Sequence, residues 1–325
     1  MNRHKIFVTG GSGFIGSAVV DALEEQSFAI ANFDIRPPVN DRHRQYWIAG
    51  DILDEVHLRQ SLDEVRPDGV IHLAARADII ATDWADFASI HQGTANLLAA
   101  AGECEEAKRL INISTQLVIG PNYVPRSLTD FHPYTIYGKA KAYAEQLLMQ
   151  WETPISWLTI RPTNIWGPGH PSFADAIWKY IRRRVYLHPS GGPVFRTYGF
   201  VENMADQIIA SLKADPTKTA RQTYYGGDGV LDSAVWVDAF ALALTGKRAR
   251  RMPVPLLKML GRAGDLVTAA GIGSPINSGR VMRMTQSYEQ PLEPMLALAG
   301  APKISLAEGV EKSVAWLRSR DRCAA

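Results

Sequence analysis

The sequence predicts an α/β protein: a doubly wound parallel sheet, with a smaller mixed α/β region in the C-terminal half. Three observations carry that prediction. Short apolar runs alternate with longer helical patterns through the first half of the chain, which makes parallel strands joined by helical crossovers. The first run, residues 5–9, leads into a glycine loop and then a helix. Asp34, Asp51, Ala74 and Thr115 all fall where strands end, and ligands of such sheets bind beyond those ends.

The elements follow in order. After strand 5–9 come a helix over 17–25 and a second strand over 29–33, ending at Asp34. A third strand, 46–49, leads to Gly50-Asp51-Ile52, and a fourth, 69–73, ends in Ala74-Ala75. Residues 84–102 read as a helix, with Asn96 set among Leu97, Leu98 and alanines. A fifth strand, 109–113, ends in Ser114-Thr115; a helix covers 136–150 and a sixth strand 155–160. The run Arg161-Pro162-Thr163-Asn164-Ile165-Trp166-Gly167-Pro168-Gly169 is dense in Pro and Gly and marks a change of organisation. A nucleotide-binding domain is therefore expected over 1–163 and a predominantly substrate-binding region over 164–325, with some of its elements returning to the first sheet. That region should hold helices at 172–183, 202–213 and 233–244, and strands at 195–199 and Tyr224-Tyr225. A terminal helix covers 305–318: Leu306, Val310, Val314 and Leu317 share one face, and Ser305 with Glu308 makes a capping box. Residues 254–287, rich in Gly, Pro and Met, receive no element.

Bulk composition excludes several classes. Lys+Arg 35 against Asp+Glu 33 leaves +2 over 325 residues, so net charge makes no case for nucleic acid or a membrane surface. The basic runs Arg182-Arg183-Arg184 and Lys247-Arg248-Ala249-Arg250-Arg251 read first as solvated helix ends and second as attractors of an anionic ligand. Two cysteines, Cys104 and Cys323, argue against a disulfide framework. No signal peptide and no membrane span is read, so a cytoplasmic location is expected, and no metal.

The loop Gly10-Gly11-Ser12-Gly13-Phe14-Ile15-Gly16 satisfies both Gly-x-x-Gly-x-x-Gly (10, 13, 16) and Gly-x-Gly-x-x-Gly (11, 13, 16). Such glycines allow a tight turn and close approach to a pyrophosphate, which then lies at a positive helix N-terminus. Strand before and helix after is the Rossmann-type context. Asp34 can accept hydrogen bonds from a ribose 2′-hydroxyl and repels a 2′-phosphate, favouring NAD over NADP; Arg36 works against that preference. Tyr137 and Lys141, four apart, share one helical face. A cation one turn from the phenol is expected to lower its pKa, as a general base near neutral pH requires.

Together, Thr9 to Gly16, Asp34, Gly50-Asp51-Ile52, His72-Leu73-Ala74-Ala75, Ile113-Ser114-Thr115, Tyr137 with Lys141, and Arg161-Pro162-Thr163-Asn164 resemble the extended short-chain dehydrogenase/reductase superfamily, of the NAD-dependent epimerase/dehydratase type. The resemblance covers almost the whole chain and implies roles. Tyr137 would take the proton from a substrate hydroxyl while hydride leaves its carbon for the nicotinamide. Lys141 would lower the tyrosine pKa and hold the nicotinamide ribose, and Thr115 would hydrogen-bond the reacting oxygen. Gly10, Gly13, Phe14, Ile15 and Gly16 would form the dinucleotide loop, Asp51 and Ile52 would flank adenine, and Leu73, Ala74 and Ala75 would line the cofactor. Family dehydratases carry an acidic pair after the threonine; here Gln116-Leu117 can neither donate nor accept a proton, which demotes dehydration. Val118-Ile119-Gly120 departs from the usual Val-Tyr-Gly. Asn164 and Arg196 match residues that hold a sugar-nucleotide diphosphate, and Arg280 is the candidate for a second arginine.

The resemblance is closest to sugar-nucleotide epimerases and to a subgroup associated with bacterial surface-polysaccharide synthesis. The expected activity is NAD-dependent epimerisation of a UDP-sugar at C4 through a transient keto-sugar. One alternative is a net dehydrogenase or reductase of a sugar nucleotide or a 3β-hydroxysteroid-like alcohol. The run 161–169 and Val201-Glu202-Asn203-Met204-Ala205 resemble that branch too, and the stretch from Val254-Pro255-Leu256-Leu257 on is either the lining of its apolar pocket or plain core. A non-catalytic NAD-binding sensor is a third reading; sensors of this superfamily commonly lose the Tyr/Lys pair, which is intact here. By analogy the chain forms a homodimer, pairing helices 84–102 and 136–150 into a four-helix bundle.

Overall fold

The computed structural model describes residues 3–77, 81, 83–121, 123–170 and 173–323. In chain order, the first elements are β1 (Lys5–Thr9), α1 (Phe14–Glu25), β2 (Ala29–Asp34), β3 (Trp47–Ala49), α2 (Glu55–Val65), β4 (Gly69–His72), α3 (Ala88–Glu103), β5 (Arg109–Ile113), α4 (Ile136–Gln150) and β6 (Ser156–Pro162). Then come β7 (Asn164–Trp166), α5 (Lys179–Arg182), β8 (Leu187–Ser190), β9 (Phe195–Phe200), α6 (Val201–Lys213), α7 (Pro216–Thr219), β10 (Gln222–Gly226), β11 (Gly229–Asp232) and α8 (Ser233–Thr245). The last are β12 (Arg250–Pro253), α9 (Val254–Ala269), α10 (Ser278–Thr285), α11 (Glu293–Ala299) and α12 (Leu306–Cys323).

The chain divides into two compact units. The first is Met1–Ile165, Val201–Asp228 and Pro291–Lys303. Its sheet has seven strands in the order β3-β2-β1-β4-β5-β6-β10, all parallel. The first six positions are the doubly wound order, with the reversal beside β1. Alternate residues of each strand feed opposite faces. Phe7, Phe33, Val70, Leu110 and Trp157 pack with Leu58, Leu62 and Leu97 on one side. Ile6, Val8, Ile71, Ile111, Leu158 and Ile160 pack with Val19, Leu23, Ile208 and Met295 on the other. The chain leaves this unit after Ile165, two residues beyond the expected boundary at 163, and returns twice. α6, β10 and α11 all come from the second half of the sequence.

The second unit is Trp166–Phe200, Gly229–Gln290 and Ile304–Ala325. Here β9 pairs antiparallel with β11 and β8 pairs parallel with β12. Its core is aromatic. Trp236 stacks on Tyr198 at 5.4 Å and meets Phe240 at 4.7 Å and Trp166 at 5.9 Å. Ser305 and Glu308 form the expected capping box, with Ser305 N to Glu308 Oε2 at 2.8 Å and Glu308 N to Ser305 Oγ at 3.3 Å.

Some expectations are corrected. α1 starts at Phe14, directly after Gly13, and not at 17. Residues 84–102 are a short 3₁₀ turn, Ala85–Phe87, followed by α3. Ser172, the expected start of a helix, lies outside the described residues; from Phe173 the chain makes π-type turns to Trp178 before α5. The stretch left without elements holds α9 and α10. No described helix is long and apolar enough to cross a membrane.

Trp236 is 2 % exposed at the centre of the aromatic cluster. Trp236→Ala should lower the unfolding free energy by about 3–5 kcal/mol, read from the midpoint shift in a denaturant titration.

Candidate active site

The glycine loop is held by close contacts. Gly10 adopts φ +77°, and a Cβ there would sit 2.5 Å from the Ala74 nitrogen. Only glycine lets β1 turn against the end of β4. Gly13 caps α1 with no side-chain hydrogen bond, and the helix dipole at that end favours an anion. Asp34, at the end of β2, accepts from Ser12 N at 2.9 Å and from Arg36 N at 2.9 Å. It therefore braces the loop and keeps carboxylate lone pairs for a ribose. Phe14 and Ile15 open α1 behind it.

The neighbouring strand ends are braced as well. Asn96 Nδ2 donates to the Ile52 carbonyl at 3.1 Å and the Leu53 carbonyl at 3.3 Å, fixing the turn that carries Asp51 and Ile52. The sequence flagged Asn96 as a polar residue among apolar ones; this turn is its purpose. His72 is buried between Thr9 Oγ1 at 2.7 Å and Thr94 Oγ1 at 3.0 Å. Burial, helped by Lys141, pushes its pKa down to about 3, so it is a neutral brace. Leu73 N bonds to the Thr9 carbonyl at 2.9 Å, placing Leu73, Ala74 and Ala75 beside the glycine loop. The residues present suit a dinucleotide: a glycine loop at a helix N-terminus for the phosphates, a carboxylate for a ribose, and small residues where the cofactor would pass.

Thr115, Tyr137 and Lys141 are brought together and are all buried. Thr115 follows β5 and accepts from Leu117 N at 3.2 Å. Tyr137 lies in the first turn of α4, capped by Thr135 Oγ1, which accepts from Gly138 N at 2.9 Å. Gly138 has no Cβ because the Leu117 carbonyl occupies that space, and this brings the helix start against the Thr115 loop. The Tyr137 side chain hydrogen-bonds Thr115.

The expected lowering of the tyrosine pKa by Lys141 is not what this arrangement gives. Burial pushes Tyr137 up to about 12, with the Thr115 hydrogen bond pulling the other way. Lys141 Nζ donates to the Ile113 carbonyl at 2.7 Å, and burial pushes it down to about 8, with Glu145 opposing. Sequence spacing supplied the one-turn separation but not the desolvation, which here outweighs it.

Sequence reasoning missed the layer beneath. Glu145 is one further turn along the face of Tyr137 and Lys141, and it is fully buried. It is paired with the equally buried Arg161 of β6, at 2.7 Å from Nη2 and 2.9 Å from Nε. Ser114 Oγ donates to Glu145, Arg161 Nη2 donates to the Leu128 carbonyl at 2.7 Å, and Nη1 to Tyr225 Oη at 3.2 Å. The signal was in the sequence: the same i+4 step that links Tyr137 to Lys141 reaches Glu145.

Of the residues expected at the diphosphate, Asn164 opens β7. In the second unit, Arg196 Nη2 donates to the Gln286 carbonyl at 3.2 Å, and Arg280 Nη1 donates to the Pro275 carbonyl. Both lie near the Tyr186 phenol: burial pushes that phenol up, while Arg196, Arg251 and Arg280 act to lower it. Asp21, Glu24 and His43 also gather, but Arg42 Nη2 holds Asp21 at 3.0 Å and Tyr46 Oη holds Glu24 at 2.9 Å.

Arg161→Met should cost about 3–5 kcal/mol of unfolding free energy, because it leaves a buried carboxylate without its cation. Adding Glu145→Gln should restore most of that loss in the same denaturant titration.

Comparison with known proteins shows the family. The chain is 28% identical over 273 residues, 79% of this chain and 81% of the relative, to a UDP-glucose 4-epimerase of Vibrio cholerae. It is 30% identical over 324 residues, 93% of this chain and 87% of the relative, to a 2-alkyl-3-oxoalkanoate reductase of Stenotrophomonas maltophilia. In fold it is similar to a UDP-glucose 4-epimerase of Thermotoga maritima solved with UDP-glucose, with a TM-score of 0.75 and 23% identity, covering 97% of this chain and 99% of that one. The family described as NAD dependent epimerase/dehydratase matches residues 6–224; the chain belongs to that family, and its cofactor is NAD.

Proposed function

We propose that the protein is a sugar-nucleotide epimerase that inverts C4 of a UDP-sugar, acting in the cytoplasm in surface-polysaccharide synthesis. The observation that carries this reading is the buried group Thr115–Tyr137–Lys141 followed by the uncharged Gln116-Leu117. The group suits proton transfer at a hydroxyl, and the two residues after Thr115 carry no acid for elimination of water. The similarity to the Vibrio epimerase supports it. Bound NAD supplies a hydride acceptor that can return what it takes. Gly10, Gly13, Gly16 and Asp34 hold its phosphates and adenosine ribose, Asp51 and Ile52 flank its adenine, Leu73, Ala74 and Ala75 line its path, and Lys141 holds its second ribose. Tyr137 takes the C4 hydroxyl proton and later gives it back, and Thr115 orients that oxygen. Asn164, Arg196 and Arg280 are assigned to the diphosphate, where a planar guanidinium bonds two oxygens at once.

The similarity to the Stenotrophomonas reductase over nearly the whole chain favours one second reading, a net ketoreductase. The two differ in where the electrons end. Purified protein incubated with UDP-glucose or UDP-N-acetylglucosamine should yield the 4-epimer, followed by NMR, with no net NADH. Keto product with stoichiometric free NADH would replace the epimerase reading with the dehydrogenase one. Tyr137→Phe should abolish turnover while NAD stays bound; an undiminished rate would remove Tyr137 from the chemistry.

Burial pushes Tyr137 up to about 12 and Lys141 down to about 8, and in the proposed reaction the two groups one turn apart act as a pair. The reactive form, phenolate beside ammonium, is a tautomer of the state that has lost one proton, so its share follows the first ionisation of the pair. Folded pKa up for the phenol and down for the amine means that this state fills as pH rises through about 8. kcat/KM should fall about tenfold per unit on the acid side of a limb at or below that pH. A limb near the free tyrosine value would separate Tyr137 from Lys141.

We also infer a homodimer built on α3 and α4. Exposed Trp84 stacks on His91 at 4.6 Å and meets Tyr143 of α4 edge-on at 5.9 Å, an aromatic cluster of the kind that anchors interfaces. Tyr143→Glu should convert a dimer to a monomer by light scattering; a wild-type monomer at micromolar concentration would overturn the inference.

A further inference from the structure

The second unit carries a helix built inside out. α9 turns Leu257, Gly261 and Gly264 inward. The Ile276 carbonyl lies where a Cβ of Gly264 would be, and a Cβ on Gly261 would come within 3.2 Å of the Ser278 nitrogen, so the following segment packs directly on the helix backbone. The large apolar residues point the other way. Leu256, Met259, Leu260, Leu266 and Val267 are exposed, Leu266 to 74% and Met259 to 61%. With Ala263 they recur at the i, i+3, i+4, i+7 spacing of a single helical face. Exposed Ile272 follows just past the helix end. Soluble proteins rarely leave such a continuous stripe in water.

The surroundings of the stripe are basic. From residue 247 to 264 the sequence has Lys247, Arg248, Arg250, Arg251, Lys258 and Arg262 and no acidic residue. Lys258 and Arg262, one turn apart, fall at one edge of the stripe, where long cationic side chains can lie along apolar surface with their charges outward. Asp265, the acid within α9, is engaged by Ser278 N at 3.0 Å. Asp238 takes Arg251 at 2.8 Å. Arg184, Lys247, Arg248 and Arg250 line one cleft with Tyr186. The overall +2 conceals this concentration of charge.

A helix with an exposed apolar stripe and cationic flanks is the pattern that lies in the plane of a membrane interface, and anionic headgroups attract each nearby lysine or arginine. A second copy of this chain is the weaker occupant, since it would bring two basic faces together. We propose that α9, with the basic segment leading into it, docks the second unit on an anionic lipid bilayer, the stripe entering the headgroup region. This proposal is independent of the reaction assigned above.

Vesicle co-sedimentation of the full chain tests it, comparing phosphatidylcholine with phosphatidylcholine–phosphatidylglycerol vesicles. Binding should require phosphatidylglycerol and weaken as salt is raised. Leu266→Glu and Met259→Glu, at exposed positions, should each reduce partitioning at least about tenfold. Lys258→Glu should reduce it at least roughly fivefold, and NAD binding should be unchanged in all three variants. Absence of sedimentation with anionic vesicles, or equal sedimentation of Leu266→Glu, overturns the proposal. So does a dimer in solution that Leu266→Glu dissolves without any vesicle binding, which would give the stripe to a second copy.

Discussion

The buried ion pair between Glu145 and Arg161 is the constraint on which the reactive group depends. Removing both charges from water is expensive, and the pair stands because its remaining hydrogen-bonding capacity is filled by Ser114, Tyr225 and the Leu128 carbonyl. The guanidinium also lies over Phe131 at 5.3 Å and Tyr225 at 5.5 Å. Glu145 is two helical turns beyond Tyr137, so tying it to β6 fixes the rotation of α4 about its axis. That rotation decides where the phenol and the ammonium point. The pair also draws together α4, β6, β10 and the loop after β5, the parts that converge on Thr115.

Around this anchor the polar chemistry is graded by charge. Deep in the sheet, His72 is kept neutral and serves to join β1, β4 and α3. One layer out, Lys141 is poised close to losing its proton, and Tyr137 holds its own tightly. The first turn of α4 adds a positive field that favours an anion on the phenol. The tyrosine alone would be a poor base. In the proposed reaction its work as a base rests on Lys141, whose own proton burial loosens.

Much of the first unit was legible because buried parallel strands read as short, nearly continuous apolar runs bounded by turns. β1, β4 and β5 stand out for that reason, and their ends mark the cofactor loop and Thr115. The same logic failed in the second unit. β12 reads Arg-Arg-Met-Pro and β8 Leu-His-Pro-Ser, with no apolar alternation to reveal them. α9 does have a helical stripe, but its Gly and Pro content masked it, and the usual rule would turn its leucines inward. Glu145 was passed over because a charged residue on a helix is normally solvated; only the packing of β6 against it reveals the buried pair. The pKa of Tyr137 was misjudged because spacing carries no information about desolvation.

The path of the chain has a consequence for how the protein is made. The seven-stranded sheet takes its last strand, β10, from beyond the segment Trp166–Phe200, and Met295 of α11 closes the face formed by Val8, Ile71 and Ile208. A ribosome delivers the chain from its N-terminus, so the first six strands of the sheet emerge while one apolar face is covered by α1 but not yet by α6 and α11. That part of the face stays open until α11 leaves the exit tunnel. The nascent sheet is then a sticky, unfinished edge that must be shielded, and a chain terminated early should appear as a chaperone client or as aggregate, not as a free nucleotide-binding domain.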